Sequence, residues 1–299
     1  MELQGNQNNM ACFLQPEAAR AIDVIRYGVI TVTPKTRVYQ ALACIVDLNI
    51  SGLPVVDEQM RLAGVITEKD LLSLLYEKQS TRGFVETYMK SDIVSFEADT
   101  SLEEICQCLL NHSFRRVPIL LRDKVISVIS RTDLLRVNLH KFVAPEQMYG
   151  ANSHASLPAW QVMKKSLITV RPDSPLSEAI ALMADYSLSG LPVTDGKIHL
   201  VGMITEKDVM PYFYNRQTPP TMVRDLMTAD IVTFGPNDSI IEICECLIEN
   251  QFRRVPIVKD GALIGLISRA DVIRYILKNI ARVSQFRAAQ VVQQMIWRP

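Results

Sequence analysis

The stretch Gly64-Val65-Ile66-Thr67-Glu68-Lys69-Asp70 decides the fold of this 299-residue chain, because the sequence contains four copies of its pattern. Each copy has two apolar residues before a hydroxyl residue, and an aspartate three positions after that hydroxyl. The other copies are Ser127 to Asp133, Gly202 to Asp208 and Gly265 to Asp271. The pattern predicts a strand that leads directly into a helix N-terminus, where free backbone N–H groups can bind an anion. We therefore expect the functional sites at these four positions.

A longer repeat contains these motifs. Ser51-Gly52-Leu53-Pro54-Val55 recurs 138 positions later as Ser189–Val193, and Phe114-Arg115-Arg116-Val117-Pro118-Ile119 recurs at the same distance as Phe252–Ile257. Within each half, the prolines of these two stretches are 64 positions apart, which indicates an older duplication. The chain is therefore built from four repeats of about 60 residues, arranged as two similar halves.

Each repeat has the same predicted order of strands and helices. In the first repeat the pattern predicts a short strand over Val29–Val32, a helix that starts near Pro34–Thr36, strands over Gly52–Val56 and Arg61–Thr67, and a closing helix from Glu68. The repeat is thus β-α-β-β-α. Three strands and two helices are too few to bury their apolar faces alone, so we expect the repeats to pair.

The repeats also predict the domain boundaries. Residues 1–20 form an N-terminal lead, and residues 144–158 form a linker that contains Pro, Gly, Asn, Ser and His without periodicity. The first module spans 21–143, with repeats over about 21–78 and 84–143. The second module spans 159–279, with repeats over about 159–216 and 222–279. A C-terminal helix over 280–299 follows and has no counterpart after the first half.

Charge and hydropathy exclude two classes of partner. The formal net charge is zero and the pI is about 6.9, so the chain has no global positive field that would hold nucleic acid or an anionic membrane. Charged residues interrupt the longest apolar stretches well before the roughly 20 residues that a membrane-spanning helix needs. The N-terminus has neither the basic start nor the apolar run of a secretory signal. We expect a cytoplasmic protein with no nucleic acid or membrane partner.

The cysteines and histidines do not indicate a metal or catalytic site. Cys106 and Cys108, like Cys244 and Cys246, invite a metal interpretation, but positions two apart on a helix point in different directions. Cys106 and Cys244 instead continue the apolar faces of their helices, so we interpret them as core residues. The four histidines have no repeated partner, and neither a phosphate loop nor a Gly-x-Ser-x-Gly motif occurs. We expect neither a metal site nor an enzyme.

The hydroxyl and carboxylate of each motif allow two interpretations. Thr67 followed by Asp70 is a variant of the helix capping box, which contributes about 1 kcal/mol of stability by itself. A carboxylate at the edge of a cleft can also accept two hydrogen bonds from a ribose diol, while the hydroxyl and the helix N–H groups bind a phosphate. All four copies keep both groups, so the second interpretation predicts four related ligand sites.

Four repeats with this motif at this spacing resemble cystathionine-β-synthase (CBS) domains. Two tandem pairs, covering about residues 21–279, are similar to two Bateman modules, and their arrangement in one chain is similar to that of the γ subunit of AMP-activated protein kinase. The resemblance implies an α/β (α+β) fold in which four β-α-β-β-α repeats pair into two modules with a pseudo-fourfold arrangement. It also implies that adenosine nucleotides bind at the motifs.

The resemblance assigns roles to residues by their positions in the motifs. Asp70, Asp133, Asp208 and Asp271 would bind the ribose of the nucleotide. Thr67, Ser130, Thr205 and Ser268 would lie near ribose or phosphate, and Arg116 and Arg254 would contact phosphate. Ile30, Val94, Ile168 and Val232 would contact adenine. The two arginines could instead be surface side chains, and the four apolar residues could be ordinary core residues.

Four further cations follow the motif hydroxyls on the first helical turn: Lys69, Lys207, Arg131 and Arg269. A cation there opposes the helix dipole, and a residue placed against its local preference can belong to a functional site. We therefore include these cations as phosphate or ribose ligands. Pairing with Glu68, Glu206 or Asp133 is the alternative.

These patterns together predict a regulatory protein that binds AMP, ADP or ATP between its repeats and then changes its conformation or its binding to an unidentified protein partner. Gly52 and Gly190 stand where Arg116 and Arg254 stand in the other repeats, so we expect fewer than four occupied sites. No further cofactor is required. The alternatives are a regulator that binds S-adenosylmethionine and a ligand-free dimerisation scaffold. The four repeats could close within one chain or in a homodimer.

Overall fold

The computed structural model describes residues 19–26, 28–76, 83–112, 114–143, 157–214 and 221–275. Three predicted segments therefore lie wholly or largely outside the described residues. They are the N-terminal lead apart from residues 19 and 20, most of the linker, and the C-terminal helix over 280–299.

The four repeats share the order helix, strand, strand, helix, and the second has one additional short strand. The first contains α1 (Val38–Asp47), β1 (Gly52–Val56), β2 (Leu62–Thr67) and α2 (Glu68–Tyr76). The second contains β3 (Phe96–Glu97), α3 (Leu102–Asn111), β4 (Arg116–Leu121), β5 (Lys124–Ser130) and α4 (Arg131–Val143). The third contains α5 (Leu176–Asp185), β6 (Gly190–Thr194), β7 (Leu200–Thr205) and α6 (Glu206–Tyr214). The fourth contains α7 (Ile240–Glu249), β8 (Arg254–Lys259), β9 (Ala262–Ser268) and a helix over 269–275.

Each repeat is built on an antiparallel hairpin that ends at the motif. In the first repeat, β1 pairs with β2 so that Gly52 lies opposite Thr67 and Leu53 lies opposite Ile66. The β6–β7 hairpin repeats this register with Gly190 opposite Thr205. The prediction of a mixed fold of helices and small sheets is confirmed. None of the helices in the described part of the chain is long and apolar enough to cross a bilayer.

The first strand of each repeat is shorter than the sequence pattern predicts. Of the residues Val29–Val32, all of which the structure describes, Val32 alone forms a β-bridge, parallel to Val55. A turn begins at once, because the Thr33 N–H donates to Thr36 Oγ1 at 3.0 Å. The helix then starts at Val38, slightly later than predicted. Only in the second repeat does the first strand reach two residues in the described chain, with β3 parallel to β4.

Serine caps mark the start of the first helix in the second and fourth repeats. Ser101 Oγ accepts the Glu104 N–H at 3.2 Å at the start of α3, and Ser239 Oγ accepts the Ile241 N–H at 3.1 Å at the start of α7. The predicted core cysteines, Cys106 on α3 and Cys244 on α7, are both buried. Burial raises the pKa of the Cys244 thiol to about 12, as expected for an unreactive core thiol. Among the described residues no group of three His, Cys, Asp or Glu side chains is placed to hold a metal ion.

The chain forms two compact bodies. The first contains the described residues up to 130, together with 167–232 and 260–263. Its core joins the first repeat to the third, since α1 packs against α6 and α2 packs against both α5 and α6. Buried residues shared by this core include Leu42, Ile45, Leu53 and Leu71 of the first repeat and Leu176, Met183, Leu191 and Val209 of the third.

The second body contains the described residues of 131–166, 233–259 and 264–275. In it α4 packs against α7, and the short segment around Ala159 pairs with the start of α7 through the Pro158–Ser239 bridge. Buried apolar residues of this body include Leu134, Leu135, Ile243, Leu247, Ile257 and Ile273.

Candidate functional site

The predicted strand-to-helix motif has the geometry of a helix cap. Thr67 ends β2 and Glu68 begins α2. The Thr67 N–H and hydroxyl both donate to Asp70 Oδ2, at 2.9 Å and 2.5 Å. The Asp70 N–H in turn lies 3.4 Å from Thr67 Oγ1. The capping interpretation of this pair is therefore confirmed.

Two further motifs repeat this cap. Thr205 donates from its N–H and its hydroxyl to Asp208 Oδ2, both at 2.7 Å. Ser268 donates in the same way to Asp271 Oδ2, at 2.9 Å and 2.5 Å. In each case one carboxylate oxygen closes the cap. The second oxygen, Oδ1, can accept from another donor, so capping and ligand binding are compatible at these motifs.

The residues that pair with the motif strands were not predicted from the sequence. We call them leader residues: Lys90, Lys164 and Thr228, each of which precedes the first strand of its own repeat and pairs with the motif strand of a neighbouring repeat. The Lys90 N–H donates to the Val65 carbonyl at 3.0 Å and its carbonyl accepts the Val65 N–H at 2.9 Å. Lys164 pairs in the same way with Leu266, and Thr228 with Met203. The leader residues thus occupy equivalent backbone positions.

Two of the leader residues bring a positive charge to a motif carboxylate. Lys90 Nζ lies 3.2 Å from Asp70 Oδ1, and Lys164 Nζ lies 3.4 Å from Asp271 Oδ1. Asp271 Oδ1 also lies 3.2 Å from Arg274. At the equivalent backbone position beside the Asp208 motif stands Thr228, and Asp208 forms no ion pair within the part of the chain that the structure describes. Burial raises the pKa of Asp208, against the lowering effect of its hydrogen bonds from Thr205.

The glycine that opens three of the motifs allows the leader segment to approach. A Cβ on Gly64 would lie 2.8 Å from Met89 Sδ and 2.7 Å from the Lys90 carbonyl oxygen. A Cβ on Gly202 would likewise lie too close to Met227, and a Cβ on Gly265 too close to Met163. The second motif has Ser127 at this position, and its hydroxyl donates to the carbonyl of Arg26 at 2.9 Å. The repeated methionine before each leader residue is the sequence signal that could have revealed this contact.

Arg116 connects the first motif to the second. Its Nη2 donates to Ser51 Oγ at 2.6 Å and its Nη1 donates to the Gly52 carbonyl at 3.3 Å. Gly52 lies opposite Thr67, and Arg116 itself lies opposite Ser130. The guanidinium therefore binds the strand that pairs with the first motif, while the backbone of Arg116 lies opposite the second motif. Arg116 is thus not the solvated surface side chain of the alternative interpretation.

Three of the other predicted cations contact a different repeat. Lys69 Nζ donates to Ser187 Oγ at 2.8 Å, and Lys207 donates to Asn49 Oδ1. In the second body, Arg269 donates to Thr132 Oγ1 at 2.5 Å and to the Leu247 carbonyl at 2.9 Å. Arg254 begins β8, and Arg131 begins α4 beside Asp133, whose Oδ1 lies 3.7 Å from Arg136. The ligand roles of these residues stay predictions.

Three of the four predicted adenine contacts are exposed apolar side chains. Ile30, Val94 and Val232 are 41%, 42% and 45% exposed. They are thus not the ordinary core residues of the alternative interpretation. Ile168 is partly buried and packs against the core of the first body. An apolar side chain that recurs in an exposed position can provide one face of a slot for a flat ring.

Comparison with known proteins identifies the repeats. The CBS domain model matches residues 21–77, 85–140, 159–215 and 223–278. The chain belongs to the CBS domain family. Its four matched CBS domains each contain one of the motifs described above.

One archaeal protein is similar to this chain over most of its length. Protein MJ1225 of Methanocaldococcus jannaschii is 25% identical over 193 residues, covering 64% of this chain and 69% of that protein. Its crystal structure, described as that of a candidate archaeal homologue of γ-AMPK, matches with a TM-score of 0.76 at 20% identity and covers 86% of this chain and 99% of the other. This likeness shows that the four-domain CBS fold is shared.

Two further relatives match over shorter lengths. Inosine-5′-monophosphate dehydrogenase of the same organism is 39% identical over 115 residues, which cover 38% of this chain and 22% of that enzyme. The structure of CBSX2 in complex with AMP matches 41% of this chain and 97% of its own, at 29% identity and a TM-score of 0.38. CBSX2 is a CBS-pair protein from Arabidopsis thaliana.

Proposed function

We propose that this CBS protein is a regulator that binds an adenine nucleotide, AMP, ADP or ATP, at its motif carboxylates. The bound nucleotide changes the conformation of the chain or its affinity for a protein partner. Asp70, Asp133, Asp208 and Asp271 accept the ribose hydroxyls, and the motif hydroxyls with Arg116 and Arg254 receive the phosphate. No catalytic activity forms part of this proposal.

The position of Arg116 is the observation that carries the proposal. A nucleotide needs a carboxylate for its diol and a cation for its phosphate within the length of one ribose phosphate. Arg116 binds the backbone carbonyl of Gly52, which lies opposite Thr67, and Thr67 is bonded to Asp70. The required carboxylate, hydroxyl and guanidinium are therefore connected through Gly52 within one compact body.

The second support is that the cap donors engage one carboxylate oxygen of Asp70 and leave the other outside the cap. Because Oδ2 of Asp70 is held by two donors from Thr67, the carboxylate cannot rotate freely. Its Oδ1 is thereby held in a defined direction before the ligand arrives, which lowers the entropy lost on binding. The exposed Ile30 and Val94 add apolar surface suited to a purine.

Isothermal titration of the nucleotide-stripped protein with AMP, ADP, ATP and S-adenosylmethionine tests the proposal. We expect micromolar binding of at least one adenine nucleotide, and its loss in the variant D70N/D133N/D208N/D271N. Asparagine still accepts the cap hydrogen bonds but carries no charge, so the variant should fold. The control is D173N at an exposed aspartate outside the motifs. Absence of binding to the wild-type protein, or equal binding by the fourfold variant, would exclude the proposal.

A second variant separates nucleotides from S-adenosylmethionine. R116M removes the guanidinium that we assign to the phosphate, so AMP should bind at least tenfold more weakly. S-adenosylmethionine has no phosphate and should lose much less. Hydrogen exchange with and without AMP then measures the conformational response. If AMP binds without any change in exchange or partner affinity, the regulatory part of the proposal fails.

A further inference from the structure

The leader residues differ in charge although their backbones are placed alike. Lys90 and Thr228 are 138 positions apart and occupy corresponding places in the two halves. Both exchange a pair of backbone hydrogen bonds with the motif strand, at 2.9 Å and 3.0 Å for Lys90 and at 2.8 Å and 2.9 Å for Thr228. The corresponding carboxylates are those of Asp70 and Asp208. The two sites therefore differ in the charge of the leader residue, which is positive for the Asp70 site and neutral for the Asp208 site.

At the first site the lysine occupies the oxygen that a ribose would need. Asp70 Oδ2 is closed by Thr67, and Oδ1 lies 3.2 Å from Lys90 Nζ. The Asp70 side chain is 10% exposed, whereas that of Lys90 is 64% exposed, so the ammonium approaches from the solvent side. A diol that donates to Oδ1 competes with this ammonium for the same oxygen. The displaced ammonium is then stabilised by any anionic group that the same ligand carries nearby.

At the Asp208 site no leader ammonium has to move. Thr228 carries no charge, and the described residues provide no ion pair for Asp208. Burial is the main cause of the raised pKa of Asp208, and it outweighs the lowering effects of the Thr205 hydrogen bonds and of the Lys207 charge. A neutral diol that donates two hydrogen bonds to this carboxylate replaces solvent without breaking an ion pair.

We propose that the leader residue selects the charge class of the ligand at each CBS site. The Lys90 and Lys164 sites favour phosphorylated ribosides, because the phosphate forms an ion pair with the ammonium that the ribose displaces from the carboxylate. The Asp208 site, with Thr228, favours uncharged ribosides relative to the other two. This inference rests on the proposed function, and it deepens that proposal by dividing equivalent motifs into two ligand classes.

The test measures the ratio of AMP affinity to adenosine affinity at one site at a time. In the full-length chain, D133N/D208N/D271N leaves the Asp70 site and D70N/D133N/D271N leaves the Asp208 site. Into these backgrounds we place K90T and T228K, which exchange the leader residues. K90T should lower the ratio at the Asp70 site about five- to tenfold, mainly through tighter adenosine binding. T228K should raise the ratio at the Asp208 site by a similar factor.

K90R is the matched control, because it keeps the positive charge and should leave the ratio within about twofold of its parent. Circular dichroism and thermal unfolding establish that each variant folds. If both probes bind but K90T and T228K leave the ratios unchanged, the charge selection is wrong and the proposed function stands. If neither probe binds the wild-type chain, the proposed function fails and this inference fails with it.

Discussion

The Nη2 atom of Arg115 lies 3.4 Å from Oε2 of Glu206, although the two residues are 91 positions apart. Glu206 follows a motif hydroxyl directly, as does Glu68, whose carboxylate lies 3.7 Å from the same Nη2. Both glutamates are buried. One arginine of the second repeat thus stands beside carboxylates of the first and third repeats, which share a core in the same compact body.

Removal of this guanidinium should destabilise the first body. A buried carboxylate that loses a cationic neighbour carries an uncompensated desolvation cost, which for fully buried pairs reaches several kcal/mol. Arg115 is partly exposed, so we expect R115M to lower the free energy of unfolding by about 2 kcal/mol. Urea unfolding measures the change. R61M, which breaks the exposed pair of Arg61 with Asp57, should cost under about 1 kcal/mol, and equal effects of both variants would contradict the prediction.

The contact between Gly265 and Met163 should be visible as a coupling energy. A Cβ on Gly265 would lie 2.5 Å from Met163 Sδ, closer than real atoms approach. G265A should therefore destabilise the protein by about 1 to 3 kcal/mol. M163A removes the clashing sulfur, so the double variant should be more stable than the sum of the single losses by at least about 0.5 kcal/mol. G235A is the control, because a Cβ at Gly235 first meets an atom, in the Asp238 side chain, at 3.3 Å. Strict additivity would show that the contact is not formed in solution.

Local sequence pattern was sufficient for the elements next to the motif. The strand over Gly52–Val56 and the helix starting at Glu68 were predicted at their observed bounds, because both depend on residues within a few positions. The predicted strand over Arg61–Thr67 begins one residue later, at Leu62. The short first strand was predicted too long, since the turn from Thr33 to Thr36 interrupts it after Val32.

Contacts between repeats could not be read from periodicity. Lys90 reaches Asp70 only because its backbone pairs with Val65, which depends on how two repeats come together. The same holds for Arg115 beside Glu206. Lysine, arginine, aspartate and glutamate are common on protein surfaces, so no local sequence pattern distinguishes these contacting residues from other surface residues. The internal repeat does align Met89 with Met227, and that correspondence is the signal from which the leader contact could have been predicted.

The raised pKa of Asp208 makes a prediction for stability against pH. Burial favours the neutral acid, so the pKa of Asp208 in the folded state is higher than the ordinary value of 3.8. Below pH 3.8 the side chain is protonated in both the folded and the unfolded state, and its full contribution to folding stability is present. As the pH rises through the pKa of the folded state, this contribution is lost. D208N cannot ionise. Its stability relative to the wild type should therefore increase from about pH 4 upward and then level off. Urea unfolding of both proteins across this range measures the difference, and a relative stability that decreases with pH would contradict the assignment.

The two halves should be coupled through Lys69 and Ser187. The ammonium of Lys69 donates to the Ser187 hydroxyl at 2.8 Å, and Lys207 makes the corresponding contact with Asn49. Because the lysine is partly exposed, we expect K69A and S187A each to cost under about 1 kcal/mol, with a coupling of about 0.5 kcal/mol in the double-mutant cycle. Titration of K69A with AMP separates this role from the predicted phosphate contact. A loss of AMP affinity without a loss of stability would favour the ligand role and contradict the structural one.

The exposed position of Val94 separates adenine binding from folding. Val94 is 42% exposed, so V94S should lower the free energy of unfolding by less than about 1 kcal/mol. If Val94 contacts the purine, the same change should weaken AMP and adenosine binding equally, by about three- to tenfold, because both ligands contain the ring but only AMP contains the phosphate. The matched control is L121S at the end of β4, where Leu121 is 47% exposed but has no predicted ligand role. Titration calorimetry gives the affinities. Equal losses in V94S and L121S would mean that adenine lies elsewhere, whereas a loss confined to V94S and shared by both ligands would place the base against this side chain.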